Sequence, residues 1–376
     1  MTHWVKIVPY LGGIKLGVLT KYIFKYYLIV LRSLLMDIKE IIELEKIIAP
    51  EILEIIENRY NILSNIFLFQ PIGRRTLASQ LDMGERLVRK ETNRMQEQNL
   101  IQILRQGMIV TEEGELIIKK LQKLLYELRG LSYLEAKTKE VLSIENLKIV
   151  PGNIDNNPRA IDLLGIEAAK YIKSILKDNM IIGVTGGSSV LAVAEGMTPK
   201  RLSNVLVIPA RGGMGRDANK QANNIAAQLA DKLNGSYELI HMPDDVEDEV
   251  LEELKANPVV KETLNKLKSL DVLIYGVSRA EEIAERRGLL DEKRKFLIKS
   301  NAIAEAFGHY FDMNGNVIYR SSSVGIGVDD FKKIPYPIAV AAGAKKAEAI
   351  KANCKIRKDI ILITDEGAAK AIIKSK

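Results

Sequence analysis

The sequence predicts an α/β protein with two parts, an amino-terminal winged helix-turn-helix and a carboxy-terminal doubly wound, mostly parallel sheet. Three observations predict this arrangement. Two short helical segments in the first third of the chain are joined by a tight turn, which is typical of a helix-turn-helix. A β-hairpin pattern follows them. From about residue 140 onward, short Val, Ile and Leu runs alternate with helical stretches, which indicates a parallel sheet covered on both faces.

The composition is that of a folded protein with room for two or three domains. The chain has 376 residues, of which 47% are hydrophobic and 27% are charged. A formal net charge of +7 permits a polyanionic partner without requiring one. Cys354 is the single cysteine and the three histidines are far apart in the sequence, so we expect no internal disulfide, no metal site and no cofactor, and a cytoplasmic location.

The first 35 residues differ from the rest because they contain basic residues and no acidic one. Lys25 and Arg32 interrupt their apolar run, so we expect neither a membrane span nor a membrane partner. A charged, amphipathic pattern begins at Met36. We therefore expect residues 1–35 to be disordered or to precede the true start of the functional chain. A basic helix lying on a membrane surface is the alternative.

Residues 36–130 are predicted to form the winged helix-turn-helix domain with a linker helix. Apolar residues at helical spacing predict one helix over 41–56 and a second over 60–67. The helix-turn-helix follows, and its segments are a short helix over 71–81, a turn over 82–84 and a longer helix over 85–98.

The second helix of this motif has two different faces. Val88, Thr92 and Met95 recur at the spacing of a buried face. The opposite face is basic and carries an asparagine, which suits recognition of guanine and adenine in a DNA major groove. A solvated helix face is the alternative. The predicted DNA-binding residues are Arg86, Arg89, Lys90 and Asn93 on this helix, with Arg74 and Arg75 at the start of the preceding one.

A predicted wing favours the DNA-binding interpretation. Residues 99–105 and 108–110 predict two strands joined by a turn at Gln106 and Gly107. Beyond it, apolar residues from Leu116 to Leu128 predict a helix whose apolar seam indicates linker or dimer packing rather than a cofactor site.

Residues 131–376 predict the second domain. Its predicted strands lie within 178–184, 204–209, 271–277, 337–341 and 359–364. Ligands of such sheets bind outside the carboxyl ends of the strands.

Glycine-bearing and basic segments follow several of these strands. Residues 185–189 follow the first, and free N–H groups at the start of the next helix would make them an anion site. A tight turn that needs glycine is the alternative. Arg211 follows the second strand and Lys346 follows the fourth, while Glu305 precedes a further glycine. Neither residues 185–189 nor the glycine-bearing segment that begins at Arg211 has a nucleotide-binding pattern. Together with Lys346 and Glu305, these segments suit a sugar phosphate.

These motifs resemble the SorC family of sugar-responsive transcriptional repressors. The resemblance is carried by GVTGGSS (183–189), VIPARGGMG (207–215), QAN (221–223), AEAFG (304–308), KAEAI (346–350), TDEGAA (364–369) and, before them, QPIGRR (70–75). It covers nearly the whole chain from Met36 onward.

The resemblance implies a winged-helix repressor of a glycolytic operon. Its effector domain would look like the phosphosugar isomerases and deaminases and would bind fructose 1,6-bisphosphate or a related sugar phosphate. The implied partners are operator DNA and further copies of the chain, as a dimer or a tetramer. The effector residues that it implies are Gly186, Gly187, Ser188, Ser189 and Lys346 around one phosphate, Arg211, Gln221 and Arg286 around the rest, and Glu305 on the sugar hydroxyls.

Two matters stay open at this point. Either Arg286 or Arg287 could face the ligand. The same fold and phosphate loop would also serve a phosphosugar isomerase or deaminase, for which Glu305 and Asp365 are the available carboxylates. The attached winged helix favours a regulator without catalytic residues.

Overall fold

The computed structural model describes residues 50–212, 218–240 and 248–375. The predictions for residues 1–35, and the part of the predicted first helix before Pro50, lie outside the described residues. The described chain forms two compact units, of which the first ends at Leu128 and the second begins at Arg129. Each unit has its own hydrophobic core and is described by itself.

The amino-terminal unit is a winged helix-turn-helix. Its elements are α1 (Pro50–Phe69), α2 (Arg74–Leu81), α3 (Glu85–Glu97), β1 (Ile101–Leu104), β2 (Gly107–Val110) and α4 (Glu112–Leu128). The prediction of two helices before the helix-turn-helix is wrong, since α1 is continuous through residues 57–59. These residues include neither glycine nor proline, and the helical pattern continues into the buried Ile62 and Ile66.

The helix-turn-helix forms because each helix has one apolar face. Leu77 of α2 and Val88 and Thr92 of α3 have no exposed surface, and Met95 is 3% exposed. The predicted inward face of α3 is therefore confirmed. At the turn, Asp82 adopts a left-handed conformation with a φ of 52°, which ends α2 and lets the chain change direction.

The turn of the wing lies one residue earlier in the chain than predicted. Leu104 pairs with Gly107, so Arg105 and Gln106 form the turn rather than Gln106 and Gly107. Gly107 serves another purpose: a Cβ there would lie 2.7 Å from the backbone nitrogen of Ile72. Ile72 and Met108 exchange backbone hydrogen bonds of 3.2 and 2.8 Å, so the chain entering α2 pairs with the wing.

The carboxy-terminal unit consists of a parallel sheet, a smaller antiparallel sheet and surrounding helices. Its helices are α5 (Leu131–Leu142), α6 (Ala160–Ile175), α7 (Ser188–Gly196), α8 (Ala222–Leu233), α9 (Asp248–Ala256), α10 (Pro258–Leu267), α11 (Ala280–Arg286), α12 (Asp291–Lys299), α13 (Val328–Phe331), α14 (Ala347–Cys354) and α15 (Glu366–Lys374). Its strands are β3 (Asn146–Val150), β4 (Ile181–Val184), β5 (Leu206–Pro209), β6 (Ser236–Tyr237), β7 (Val272–Gly276), β8 (Ser278–Arg279), β9 (Ala304–Ala306), β10 (His309–Phe311), β11 (Val317–Arg320), β12 (Tyr336–Val340) and β13 (Ile361–Asp365).

Within the described residues, seven strands form the parallel sheet in the order β3-β13-β12-β7-β4-β5-β6. The five predicted strands are its central members β4, β5, β7, β12 and β13. Their apolar runs are buried because helices cover the sheet, as expected for a doubly wound fold. The fold class predicted from the sequence is confirmed.

A second sheet was not predicted. Strands β8, β9, β10 and β11 form an antiparallel sheet in the order β11-β10-β9-β8. Glu305 lies in the middle of β9, so it does not follow a strand of the parallel sheet as Arg211 and Gly186 do. Over the described ranges, no helix has the length and apolar character needed to cross a membrane.

Candidate functional site

The amino-terminal unit exposes the predicted basic face of α3. Arg86, Arg89, Lys90 and Asn93 are all exposed, on the side of α3 away from its buried residues. Glu91 also lies on α3 and was not among the predicted residues. It is only 7% exposed and forms an ion pair with Arg59 of α1 at 2.7 Å. This ion pair attaches α3 to α1.

Arg74 orients Asn93. Its Nη2 donates to Oδ1 of Asn93 at 2.6 Å, and its Nε donates to the hydroxyl of Thr92 at 3.3 Å. Arg74 thereby holds the Asn93 amide group at the surface of α3 through its Oδ1, and the Nδ2 donor takes no part in this hydrogen bond. Arg74 is thus a support of α3 in this structure, whereas its prediction as a DNA contact is untested.

Glu85 joins the two helices of the motif. Its carboxylate accepts a hydrogen bond from Nη2 of Arg89 at 3.4 Å and lies 3.6 Å from Nε of Arg75. The Arg75 and Arg89 side chains are 90% and 61% exposed. Both arginines, together with the first turn of α2 and the wing turn at Arg105, border a groove of about 380 Å³.

In the carboxy-terminal unit, the loop after β4 ends directly at a helix. Gly187 has a φ of 117° and is the residue before α7, while Ser188 is the first helical residue. No side chain caps this helix, and the first N–H groups of a helix have no partner within it. Gly186 and Ser188 are exposed. The glycine therefore makes the tight turn, and the turn leaves donors directed at the solvent where an anion could bind.

A second helix begins beside this loop. Gly187 donates its N–H to the carbonyl of Lys220 at 2.9 Å, and a Cβ on Gly186 would lie 2.7 Å from the same carbonyl oxygen. Gln221 is the residue before α8. The structure thus brings Gln221 next to Gly186 and Gly187, so the starts of α7 and α8 lie together.

The loop that carries Lys346 is held by two carboxylates, the buried Asp365 and the exposed Asp155. Asp365, at the end of β13, is 1% exposed, and its Oδ1 accepts from the N–H groups of Gly343 at 3.0 Å and Ala368 at 2.8 Å. Its Oδ2 accepts from Ile154 at 2.8 Å. Asp155 accepts from the N–H of Lys345 at 3.1 Å. These bonds fix the backbone that presents Lys346.

Lys346 is partly buried and lies among charges of both signs. Burial lowers the pKa of the Lys346 ammonium and the positive charge of Arg286 lowers it further, whereas the carboxylates of Glu282, Asp155 and Asp365 act in the opposite direction. Arg286 therefore lies close enough to Lys346 for their charges to interact. A phosphate bound between them would favour both charged side chains.

Arg287 has a different position. Its Nη2 donates to Oε1 of Glu305 at 3.1 Å, and its Nη1 donates to Ser321 at 3.3 Å. Glu305 also accepts the N–H of Gly308 at 2.9 Å and is 5% exposed. The sequence pointed to one arginine of this pair without deciding which, and the structure places Arg286 near Lys346 and Arg287 on Glu305.

Arg211 lies beside the Glu305 cluster. It is 8% exposed, its Nε donates to Ser323 at 2.7 Å, and a Cβ on Gly308 would lie 3.0 Å from that Nε. His309 is adjacent and 7% exposed. Burial lowers the pKa of His309 to about 4, and the positive charges of Arg320 and Arg211 add to this effect. The ring is neutral near pH 7.

The sheet order places these groups along one edge. The loops after β5, β4, β7 and β12 leave the carboxyl ends of neighbouring strands, so Arg211 and Lys346 lie on opposite sides of the β4 and β7 ends. Ser323 and Asp155 belong to this edge and were missed as site residues, because no local pattern in the sequence marks them. Arg287 was already named as the alternative to Arg286.

Glu305 and Asp365, the two carboxylates that the sequence offers for a phosphosugar enzyme, are both engaged by other residues of the protein. Asp365 accepts hydrogen bonds from three backbone N–H groups, and Glu305 accepts hydrogen bonds from Arg287 and Gly308. Among the residues that the structure describes, no group of three or more His, Cys, Asp or Glu side chains is arranged to hold a metal ion.

Two family models match the chain. The CggR N-terminal DNA binding domain matches residues 55–125, and the sugar-binding domain matches residues 126–374. The chain is also similar to proteins named central glycolytic genes regulator. It is 40% identical to that of Priestia megaterium over 339 residues, which cover 89% of this chain and 99% of the relative. It is 38% identical to that of Bacillus subtilis, covering 90% and 99%.

Solved structures have the same fold. A SorC family transcriptional regulator from Enterococcus faecalis matches with a TM-score of 0.60 and 31% identity, covering 64% of this chain and 99% of that one. The full-length sorbitol operon regulator SorC from Klebsiella pneumoniae matches with a TM-score of 0.62, covering 83% of this chain and 96% of that one. Its identity of 16% supports the fold alone.

Proposed function

Because the chain belongs to the SorC family of transcriptional regulators, together with the central glycolytic genes regulators, we propose that it represses a glycolytic operon under the control of a phosphorylated sugar. The relatives and both family models identify a DNA-binding regulator with a sugar-binding domain, not an enzyme. We also propose which sugar the protein binds and which residues bind the sugar and the operator.

The observation that carries the proposal is the arrangement of donors and cations along the sheet edge. The start of α7 offers N–H groups after Gly187, with Lys346 and Arg286 on one side and Arg211 on the other. A ligand with phosphates at both ends of a hexose matches two separated cationic positions. Fructose 1,6-bisphosphate has this chemistry, which supports it over a monophosphate.

The proposed roles follow from these positions. Gly186, Gly187, Ser188, Ser189 and Lys346 would surround one phosphate. Arg211, Gln221 and Arg286 would bind the rest of the ligand. Glu305 would accept hydrogen bonds from sugar hydroxyls, and its bond to Arg287 keeps its carboxylate in place. The residues of α2 and α3 that we propose as DNA contacts are Arg74, Arg75, Arg86, Arg89, Lys90 and Asn93.

Control of DNA binding requires that the sugar favour one arrangement of the protein over another. An effector can shift a DNA-binding equilibrium only by its differential affinity for the two states. We propose that the unliganded form binds the operator as a homo-oligomer, a dimer or a tetramer, and that binding of the sugar phosphate at the carboxyl ends of the strands weakens this complex. Helix α4, which joins the two units along the chain, would transmit the change. The proposed location is the cytoplasm, where sugar phosphates are made.

A DNA-binding titration tests this function. The probe is a labelled duplex with the sequence upstream of the chain's own gene, and a scrambled duplex is the control. We expect preferred binding of the upstream duplex and its release by fructose 1,6-bisphosphate at lower concentration than by fructose 6-phosphate or fructose. Release by the monophosphate at equal or lower concentration would contradict the bisphosphate, and equal binding to both duplexes would contradict the operator.

A further inference from the structure

An acidic residue lies where the proposed DNA contacts of the amino-terminal unit are concentrated. Glu85 is the first residue of α3, and its side chain is 41% exposed. Among the described residues bordering the groove between α2, α3 and the wing, it is the single acidic side chain, and the four basic ones are Arg74, Arg75, Arg89 and Arg105. A carboxylate in this position repels DNA phosphates, so its contribution is not to overall affinity.

The geometry shows what Glu85 does instead. One carboxylate oxygen accepts from Arg89 of the same helix at 3.4 Å, and the other lies 3.6 Å from Arg75 of the preceding helix. Glu85 therefore partly neutralises two arginines and limits where their guanidinium groups can reach. Exposed ion pairs of this kind are weak, so both arginines can leave Glu85 when better acceptors are offered.

Non-target and target DNA offer different acceptors. Non-target duplexes offer mainly phosphates, and every basic side chain that neutralises a phosphate adds to non-specific affinity and to its salt dependence. A target site adds the paired acceptors of guanine in the major groove, which bind an arginine with two hydrogen bonds.

We propose that Glu85 is a specificity-determining residue that restrains Arg75 and Arg89 on non-target DNA and releases them at the target site. The proposal rests on the proposed function in one respect, namely that α3 binds in a major groove. It adds that the carboxylate at the start of α3 lowers non-specific affinity more than specific affinity, and so raises their ratio.

The test compares Glu85→Gln with a matched control, Glu97→Gln. Both substitutions remove one negative charge from α3, but Glu97 is exposed at the other end of the helix and does not border the groove. Fluorescence anisotropy with full-length protein measures binding to a scrambled duplex over a series of KCl concentrations. Binding to a duplex selected by the wild type from a randomised pool is measured alongside.

We expect Glu85→Gln to bind the scrambled duplex about three- to tenfold more tightly. The slope of log K against log[KCl] should become steeper by about one to two, since each additional phosphate contact contributes about 0.9. Binding to the selected duplex should change less than threefold, so the specificity ratio falls. Adding Glu85→Gln to a variant with both Arg75→Gln and Arg89→Gln should leave the slope unchanged, and Glu97→Gln should leave it at the wild-type value.

Two results would overturn the proposal. Equal effects of the two glutamate substitutions on the scrambled duplex would mean that Glu85 acts only through the net charge of the protein, not by restraining the arginines. A tenfold loss on the selected duplex, with the scrambled duplex unchanged, would mean that Glu85 itself accepts a hydrogen bond from a base. If the wild type enriched no duplex, the proposed function would fail separately, while the salt slopes would still decide whether Glu85 restrains the arginines.

Discussion

Replacing Lys346 with methionine should weaken effector binding without weakening DNA binding in the absence of effector. Methionine keeps an unbranched apolar side chain and removes the ammonium group. Lys346 is partly buried and interacts with the charge of Arg286. A phosphate beside these two cations would accept a charge-assisted hydrogen bond from the ammonium.

The size of the effect follows from the strength of such contacts. A hydrogen bond to a charged group contributes about 1.5–3 kcal/mol, and about 1.4 kcal/mol corresponds to a tenfold change in Kd. We therefore expect Lys346→Met to raise the Kd for fructose 1,6-bisphosphate by about ten- to a hundredfold. Lys345→Met is the matched control, because Lys345 is exposed in the same loop and contributes its backbone N–H to Asp155.

Isothermal titration calorimetry measures the effector Kd, and the upstream duplex reports DNA affinity. The pH dependence adds a second signature. The lowered pKa of Lys346 means that the ammonium loses its proton below its ordinary value of 10.5, so effector affinity of the wild type should fall as alkaline pH approaches that range. Lys346→Met should lack this decrease. Equal effector Kd values for Lys346→Met and Lys345→Met would refute the assignment of Lys346 as a ligand.

Three further outcomes are expected. Arg89→Ala should weaken binding to the preferred duplex by about 1–3 kcal/mol if Arg89 contacts a base, whereas an equal loss on scrambled DNA in an anisotropy titration would indicate a phosphate contact. The folded-state pKa of His309 is about 4 against 6.5 for an unperturbed histidine, so the unfolded chain binds the extra proton first. The free energy of unfolding should decrease as the pH falls from about 6.5 towards 4, by up to about 3 kcal/mol, and His309→Gln should show a smaller decrease in urea titrations; identical pH profiles would contradict this cause. Gly187→Ala should cost about 1–3 kcal/mol in thermal unfolding and weaken effector binding, because a φ of 117° strains any side chain although the space is open, and an unchanged melting temperature would contradict that strain.

The central strands could be predicted from the sequence because their signal is local. Uninterrupted apolar runs such as Val272–Gly276 are long enough to indicate a strand buried on both faces. Strands β9 and β10 have three residues each, and their burial comes from neighbours elsewhere in the chain. No local pattern distinguishes them, so the antiparallel sheet that carries Glu305 could not be predicted.

The tight turn over residues 185–189, which we propose as the phosphate site, was predictable because its residues are continuous in sequence. The partners that hold the site together were not. Arg286 and Arg287 are adjacent and identical in type, and only the positions of Lys346 and Glu305 in space distinguish them. The role of Asp365 as an acceptor for three backbone N–H groups likewise depends on segments far apart along the chain.

The bonds of Asp365 have a consequence for protein synthesis. Asp365 follows Ile154 by 211 residues, so the ribosome must add all of them before the loop that presents Lys346 can be fixed. The core of the DNA-binding unit lies within residues 62–118 and emerges much earlier. A nascent chain, or a product of premature termination before Asp365, therefore has the complete core of the DNA-binding unit but lacks the acceptor that fixes the Lys346 loop. A nonsense mutation just before the codon of Asp365 is therefore expected to weaken the response to the effector while leaving the core of the DNA-binding unit intact.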